Sequence, residues 1–158
     1  YALGSYNQPI LQKAVKQLKY SGGRVLAAPL ARVLAARFSD NLTSGTLVPI
    51  PLHPARQRVR GFNQAVLLAN ALHEHIKLPV ANCVSRIRNT TPQVELNETE
   101  RRSNVSDAFA LRKGVATVPR CAIVIDDVFT TGSTISEVSR VLRQAGTKRI
   151  IALTVAKG

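Results

Sequence analysis

Aromatic residues and cysteines are scarce in this sequence. It has no Trp, three Tyr and four Phe in 158 residues, which weighs against a protein that binds single-stranded bases mainly by ring stacking. Cys83 and Cys121 are far apart and form no C-x-x-C pair, so the sequence favours two small buried apolar residues over a disulfide framework or a structural zinc site. Its three histidines, His53, His73 and His75, have no matching cluster of carboxylates or thiolates, so no metal site built from side chains alone is expected.

Long apolar runs are also missing. The sequence has no basic-then-apolar leader and no run of about 18 apolar residues, so it predicts neither secretion nor a membrane span and favours a cytoplasmic protein. With 45% hydrophobic residues, the chain is long enough to bury one substantial core. We therefore expect a single domain over residues 1–158.

Acidic residues are few: 9 Asp and Glu stand against 22 Lys and Arg, which gives a net charge of +13. Such a charge attracts polyanions. Nucleic acid and a densely phosphorylated small molecule both fit, because both concentrate negative charge that Lys and Arg neutralise. Composition does not separate these two ligands, nor does it separate either from a basic surface that only maintains solubility.

Apolar residues recur in the alternating order of helices and strands that is typical of an α/β fold. The spacing predicts helices over residues 7–19, 24–38, 62–76 and 133–145, and strands over residues 46–51, 80–84, 121–125 and 150–155. The basic stretch 53–61 is expected to be irregular, and the polar stretch 85–108 to leave the main sheet, partly mobile and helical around residues 98–104. This order predicts a twisted parallel sheet flanked by helices on both faces, with ligands beyond the carboxyl ends of its strands.

The strongest chemical signal is the run 124–134, Val-Ile-Asp-Asp-Val-Phe-Thr-Thr-Gly-Ser-Thr. A buried strand ends in Asp126 and Asp127, whose carboxylates can accept hydrogen bonds from vicinal hydroxyls such as those of a ribose. The following turn contains Gly132 and opens a helix, where backbone N–H groups suit a phosphate. Four hydroxyl side chains add possible donors: Thr130, Thr131, Ser133 and Thr134. The run predicts a site for a ribose 5-phosphate; helix capping, the alternative, needs one such residue and not the whole array.

Residues 125–134 resemble the phosphoribosyl pyrophosphate motif of type I phosphoribosyltransferases, in which paired acids hold the ribose hydroxyls and the loop holds the 5-phosphate. Nearly the whole chain is similar to the ComF/GntX family of phosphoribosyltransferase-like proteins linked to competence and DNA uptake. The segments that carry this similarity are Lys19-Tyr20, residues 48–53, Arg56, residues 60–65, Thr91-Pro92-Gln93, Leu96, Arg101 and Asn104.

The resemblance implies a type I phosphoribosyltransferase fold with a small hood and flexible loop over residues 85–108, where Gln93 and Arg101 are candidate ligand contacts. It also implies that the pyrophosphate meets a segment formed by Leu52, His53, Arg56, Arg58, Arg60 and Gly61. Arginine forks bind phosphate oxygens in pairs, although ordinary exposed arginines would give the same sequence. The candidate catalytic residues are Asp126, Asp127, Arg56 and Arg60.

The reaction that the resemblance implies is displacement of pyrophosphate at the anomeric carbon, with Mg²⁺ as cofactor. Asp126 and Asp127 would orient the ribose and meet the Mg²⁺, directly or through water. The implied partners are phosphoribosyl pyrophosphate, single-stranded DNA, and a competence helicase or other DNA-uptake protein. Two hypotheses stay open: an enzyme that transfers phosphoribosyl groups to an acceptor, and a non-catalytic module that binds DNA or senses a phosphorylated ligand.

Two departures from related proteins narrow these expectations. Thr130 stands where some purine phosphoribosyltransferases have an aspartate, so purine salvage is not expected. The family commonly has a cysteine-rich zinc-binding segment at its N-terminus, and these 158 residues do not include one. Either the residues are part of a longer chain or the chain is a variant without that segment.

Overall fold

The computed structural model describes residues 1–20, 23–90 and 105–158. Its elements are, in order, β1 (Ala2–Ser5), α1 (Pro9–Lys19), α2 (Gly23–Phe38), a 3-10 helix (Ser39–Asn41), β2 (Thr46–Pro49), α3 (Pro54–Arg60), α4 (Gln64–Ile76), β3 (Val84–Arg86), β4 (Phe109–Leu111), β5 (Cys121–Phe129), α5 (Ser133–Gln144) and β6 (Arg149–Lys157). The expected helix around residues 98–104 lies outside the described residues. None of the described helices combines the length and apolar character needed to cross a membrane.

Four parallel strands form the main sheet, in the order β1-β6-β5-β2, with helices on both faces. Successive side chains of a strand point to opposite faces. In β5, Ile123 and Ile125 therefore pack into the layer of α1, α2 and α4, whereas Ala122 and Val124 pack into the layer of α5 and the small sheet. Both faces are buried, which explains the continuous apolar run in the sequence. The predicted α/β fold is confirmed.

A second, smaller sheet pairs β3 with β4 in antiparallel orientation. The two strands flank residues 91–104, which lie outside the described part of the chain. Val84 and Phe109 are buried and pack with α5. The expected excursion over residues 85–108 lies largely outside the described residues, and the chain on either side of the gap contributes to the core through two strands that the sequence analysis did not predict.

The prediction of an irregular stretch over residues 53–61 is wrong, because most of it forms α3. Pro54 occupies the first turn, where its missing N–H is not needed, and the ring Nδ1 of His53 accepts a hydrogen bond from the backbone N–H of Ala55 at 3.2 Å. Gly61 ends the helix with a left-handed φ of 79°. Seven residues are too few to show an apolar period, so only these end signals indicated a helix.

The predicted strand over residues 80–84 is also wrong. Val80 makes a single parallel bridge to Leu47, and a strand begins only at Val84, in the other sheet. Pro79 has no N–H to donate, so its carbonyl is the only backbone group it can contribute to a ladder, and it accepts from the N–H of Leu47 at 2.7 Å. The four-residue β1, which pairs with β6, was not predicted either, since it is too short to show a period.

Candidate functional site

Two adjacent acids lie near the carboxyl end of β5 and, by the alternation of the strand, on opposite faces of the sheet. The strand does not end at these acids as predicted, because Val128 and Phe129 continue its pairing with β6. Asp127 is 4% exposed and lies on the face of α1. Asp126 is half-buried, and its Oδ1 accepts a hydrogen bond from the backbone N–H of Asp127 at 2.8 Å. The two carboxylates therefore have different surroundings.

Lys19, the last residue of α1, forms an ion pair with the inner acid. Its Nζ lies 3.0 Å from Oδ2 of Asp127, and the lysine side chain is 31% exposed. Burial lowers the pKa of Lys19, but the charge and hydrogen bond of Asp127 outweigh burial, so this pKa is raised from its ordinary value. Lys19 is therefore charged at neutral pH, and its charge compensates that of a carboxylate buried in the core.

Removing this ammonium group is expected to destabilise the fold. Lys19→Met leaves the Asp127 carboxylate buried without its partner, and we expect a loss of about 2 kcal/mol in the free energy of unfolding, less than for a fully buried pair because Lys19 is partly exposed. Urea unfolding followed by circular dichroism measures this loss. Lys16→Met, at an exposed position of the same helix, is the matched control and should change stability by less than about 0.5 kcal/mol. Equal stability of the two variants would contradict the prediction.

The surroundings of the outer acid, Asp126, favour its protonated form. Burial raises the pKa of Asp126 well above its usual range, and the neighbouring Asp127 raises it further, whereas the backbone hydrogen bond and Lys19 act in the opposite direction. In the free protein, burial and the charge of Asp127 therefore destabilise the ionised form of Asp126. A cation or a set of hydroxyl donors near this carboxylate would stabilise the ionised form.

The turn after β5 leads directly into the N-terminus of α5. Gly132 is the N-cap, with φ at 76°, and no side chain caps the helix there. The Thr131 hydroxyl lies 2.7 Å from that of Ser133 and accepts a hydrogen bond from the Ser133 N–H at 3.4 Å. Helix geometry leaves the N–H groups of a first turn without partners inside the helix. The Thr131 hydroxyl therefore acts as a partial cap of α5, because Gly132 has no side chain to supply one.

A pocket of about 330 Å³ lies where this turn and the two acids meet, and we call it the strand-end pocket. It is lined by Tyr6, Lys19, Asp126, Asp127, Val128, Phe129, Thr130, Gly132, Ser133, Thr134 and Ile135. Its volume is that of a small-molecule site. The structure thus brings together most of the residues predicted to bind a ribose 5-phosphate. Thr131 lies next to them and lines a separate cavity with Glu137 and Arg140.

The residues of the predicted pyrophosphate segment do not converge on one pocket. Arg56 Nη2 donates to the carbonyl of Thr90 at 2.5 Å, and Arg60 Nη1 donates to Oε1 of Gln64 at 2.7 Å. Arg58 is exposed and lines a shallow cleft with Gly61. Leu52 lines another pocket, beside β2, and His53 caps α3. The three arginines therefore point to different surroundings, and Gln93 and Arg101 lie outside the described residues.

Arg86, on β3, is a member of this region that the sequence analysis missed. It is 8% exposed, and its guanidinium lies 5.2 Å from the ring centre of Phe109. Burial, with a smaller effect of Arg56, lowers the pKa of Arg86 to about 10, and Asp126 acts in the opposite direction. Arg86 is therefore close enough to sense both Arg56 and Asp126. Its position two residues after the buried Val84 in an alternating strand was the available signal.

Lys19 was also missed as a site residue and entered only as part of the family resemblance. It lies four residues after the buried Val15, so it falls on the inner face of α1. A lysine on a buried face requires an anionic partner, which is the available signal, although it does not identify Asp127. Tyr6 precedes α1 and has no comparable signal in the sequence.

The donor set at the end of β5 fits Mg²⁺ to a limited extent. Carboxylate oxygens are the ligands that this ion prefers, and Mg²⁺ is usually held by one or two carboxylates together with phosphate oxygens and water. Across residues 1–20, 23–90 and 105–158, no group of three or more His, Cys, Asp or Glu side chains is arranged to hold a metal. Asp126 and Asp127 would therefore hold the ion only together with a phosphorylated ligand.

Solved structures define the fold class of the chain. The adenine phosphoribosyl transferase of Trypanosoma brucei matches 97% of this chain and 81% of its own, with a TM-score of 0.51 at 12% identity. The glutamine phosphoribosylpyrophosphate amidotransferase of B. subtilis matches 81% of this chain and 26% of its own, with a TM-score of 0.51 at 14% identity. The chain thus has the phosphoribosyltransferase fold, as the resemblance implied.

Curated relatives are more similar in sequence. Competence protein F of Haemophilus influenzae is 34% identical over 156 residues, which are 94% of this chain and 68% of that protein. DNA utilization protein YhgH of Escherichia coli K12 is 33% identical over 145 residues, 87% of this chain and 63% of that protein. The chain belongs to the ComF family, which confirms the resemblance. It spans about two thirds of the length of these relatives. No protein-family model matches it.

Proposed function

We propose that the chain binds phosphoribosyl pyrophosphate in the strand-end pocket and transfers the phosphoribosyl group to an acceptor. The observation that supports this most is the meeting of Asp126, Asp127 and the Gly132 turn in one pocket at the N-terminus of α5. One end of that pocket offers carboxylates, which accept hydrogen bonds from ribose hydroxyls. The other end offers hydroxyls and backbone N–H groups, which bind a phosphate.

Each part of the site has a role in this proposal. The turn around Gly132 holds the 5-phosphate, and the two acids hold the ribose, Asp126 from the side of Arg86 and Asp127 from the side of Lys19. Mg²⁺ bound with the ligand at Asp126 and Asp127 would neutralise charge on the pyrophosphate oxygens. Arg56 and Arg60, at the two ends of α3, are the proposed pyrophosphate contacts and would have to exchange their present partners for phosphate oxygens.

The proposed step is a displacement. The nucleophilic atom of the acceptor forms a bond to the anomeric carbon while the bond from that carbon to the pyrophosphate oxygen breaks, and the electron pair leaves with pyrophosphate. A proton on the nucleophile passes to solvent or to the leaving group. The protein contributes orientation and a positively charged surrounding for the leaving group.

The cellular role that we propose is in competence and DNA uptake, because curated relatives carry the names competence protein F and DNA utilization protein. A second candidate function, a non-catalytic module that binds DNA or senses a phosphorylated ligand, is favoured by the net charge of +13. In that case the strand-end pocket would regulate the module without turnover.

Calorimetry with phosphoribosyl pyrophosphate tests the proposal. Heat of binding is expected in the presence of Mg²⁺, with affinity at least about tenfold weaker without Mg²⁺, and at least about tenfold weaker for ribose 5-phosphate, which lacks the pyrophosphate. No binding of phosphoribosyl pyrophosphate with Mg²⁺ to the folded chain would reject the proposal.

Two further measurements separate the enzyme from the module. Release of pyrophosphate that depends on an added acceptor supports the enzyme. Salt-sensitive binding of single-stranded DNA that is unchanged in the Asp126→Asn/Asp127→Asn variant supports a DNA surface independent of the pocket, whereas its loss in that variant would link the two sites. Asp40→Asn/Glu74→Gln, at two exposed acids that do not line the strand-end pocket, controls for the gain of two units of net charge.

A further inference from the structure

A second pocket, of about 410 Å³, lies beside β2, the last strand of the main sheet, and is separate from the strand-end pocket. We call it the β2-edge pocket. Half of its lining is apolar, with Pro49 at the end of β2 and Pro51 and Leu52 after it, and the polar half includes Asn82, Arg86 and Arg112. The prolines and the leucine offer an apolar surface to a small ligand, while the arginines supply positive charge.

The arginine in this pocket is the unusual feature. Arg86 is 8% exposed, and its Nε has no hydrogen-bond partner among the residues that the structure describes. Its Nη2 donates to the hydroxyl of Thr90. Within the described ranges, no carboxylate forms an ion pair with Arg86. A buried guanidinium is normally compensated by an anion, because desolvating an isolated charge is costly.

Other positive charges around the pocket add to the uncompensated charge of Arg86. Arg112 is exposed at its rim, and Arg56 is close enough to lower the pKa of Arg86. Among the residues that the structure describes, the one acid that acts on Arg86 is Asp126, which itself belongs to the strand-end pocket. Arg86 therefore links the two pockets electrostatically, and the β2-edge pocket retains an excess of positive charge next to the proposed reaction site.

We propose that the β2-edge pocket receives the acceptor, and that the acceptor is a small molecule with an apolar part and one anionic group bound by Arg86 and Arg112. This inference rests on the proposed function and names the class of its second substrate. The guanidinium fork binds carboxylate or phosphate through paired hydrogen bonds, and the free Nε of Arg86 is one of the donors that such an anion would satisfy.

Titration of the whole chain with three probes tests the inference: benzoate, phenyl phosphate and benzamide. Isotope-edited NMR measures affinity and locates the shifted amides. We expect at least one anion to bind at least about tenfold more tightly than neutral benzamide, with shifts around Asn82 and Arg86. The tighter of the two anions identifies carboxylate or phosphate as the group that is recognised.

Variants place the binding in the pocket. Arg86→Gln should remove the preference for the anion, but a substitution at so buried a position can also unfold the chain. Asn82→Asp is therefore the second variant, because Asn82 is exposed and lines the pocket, and an added carboxylate there should weaken anion binding by about tenfold. Asn70→Asp, at an exposed position of α4 that does not line the pocket, adds the same charge and should leave anion binding unchanged.

The inference and the proposed function fail in different ways. Equal affinity for benzoate, phenyl phosphate and benzamide, or equal effects of Asn82→Asp and Asn70→Asp, would overturn the inference while binding of phosphoribosyl pyrophosphate stands. Displacement of the bound anion by phosphoribosyl pyrophosphate would show that the anion occupies the pyrophosphate position, and would also overturn it. Simultaneous binding of both ligands supports it. Anion binding without any binding of phosphoribosyl pyrophosphate would reject the proposed function and, with it, the acceptor role.

Discussion

Replacing Gly132 with alanine is expected to abolish detectable binding of phosphoribosyl pyrophosphate and to destabilise the fold. Gly132 has φ at 76°, a conformation that costs an ordinary residue about 1–2 kcal/mol. A Cβ at this position would lie 2.6 Å from Cζ of Phe129, closer than carbon atoms can pack. The end of the Phe129 ring, which is 38% exposed, can give way, so the left-handed φ is the main strain, and a turn that leaves this φ no longer presents the N-terminus of α5 to a phosphate.

The comparison with Gly114→Ala isolates the effect of the turn. Gly114 has a similar φ of 83°, but a Cβ there meets no atom within 4 Å, so this variant should lose only about 1–2 kcal/mol of stability and keep its affinity. Calorimetry and thermal unfolding of both variants provide the measurement. In the double variant Gly132→Ala/Phe129→Ala, removal of the ring should restore part of the affinity. Full affinity in Gly132→Ala would show that the turn does not hold the ligand.

Asp126→Asn is expected to have two opposite effects: higher stability at neutral pH and at least about tenfold weaker binding of phosphoribosyl pyrophosphate with Mg²⁺. The amide can keep the hydrogen bond from the Asp127 N–H, because it retains a carbonyl oxygen. It has no charge to desolvate and does not repel Asp127. The charge that destabilises the free protein is, in this proposal, the charge that the ligand requires.

The pH dependence of stability checks the first effect. Because the pKa of Asp126 is raised in the folded state, the folded chain binds the proton more strongly than the unfolded chain. The contribution of Asp126 to stability is therefore greatest below the unfolded value of about 3.9 and is lost as pH rises through the folded pKa. The gain in Asp126→Asn should be absent near pH 3.9 and largest above the folded pKa. Thermal unfolding across this range, with Asp40→Asn as the exposed control, measures it; a gain that did not grow with pH would contradict the prediction.

The elements that the sequence predicted well are those with long, uniform patterns. Strand β5 is buried on both faces and α5 has a regular apolar period, so the turn between them was located from residue types alone. Helix α3 was missed because seven residues show no apolar period. The strand predicted over residues 80–84 was wrong because the chain forms a strand only from Val84 onward, in the second sheet. These errors come from short segments whose structure depends on tertiary partners.

The sequence named most of the residues that line the strand-end pocket but not their arrangement. The acids and, apart from Thr131, the hydroxyls of the motif line one pocket, yet the acids were treated as a pair with a single role, although adjacent residues of a strand face opposite layers. Lys19 and Arg86 come from distant parts of the chain. Only the packing of α1 and of β3 against the sheet reveals that they lie near Asp127 and Asp126.

The ion pair between Lys19 and Asp127 fastens the first helix of the chain to the floor of the strand-end pocket. A displacement of α1, for example by a partner that binds this helix, would therefore reach Asp127 through the ammonium group of Lys19. In the proposed function, movement of α1 would thus alter the position of the carboxylate that holds the ribose.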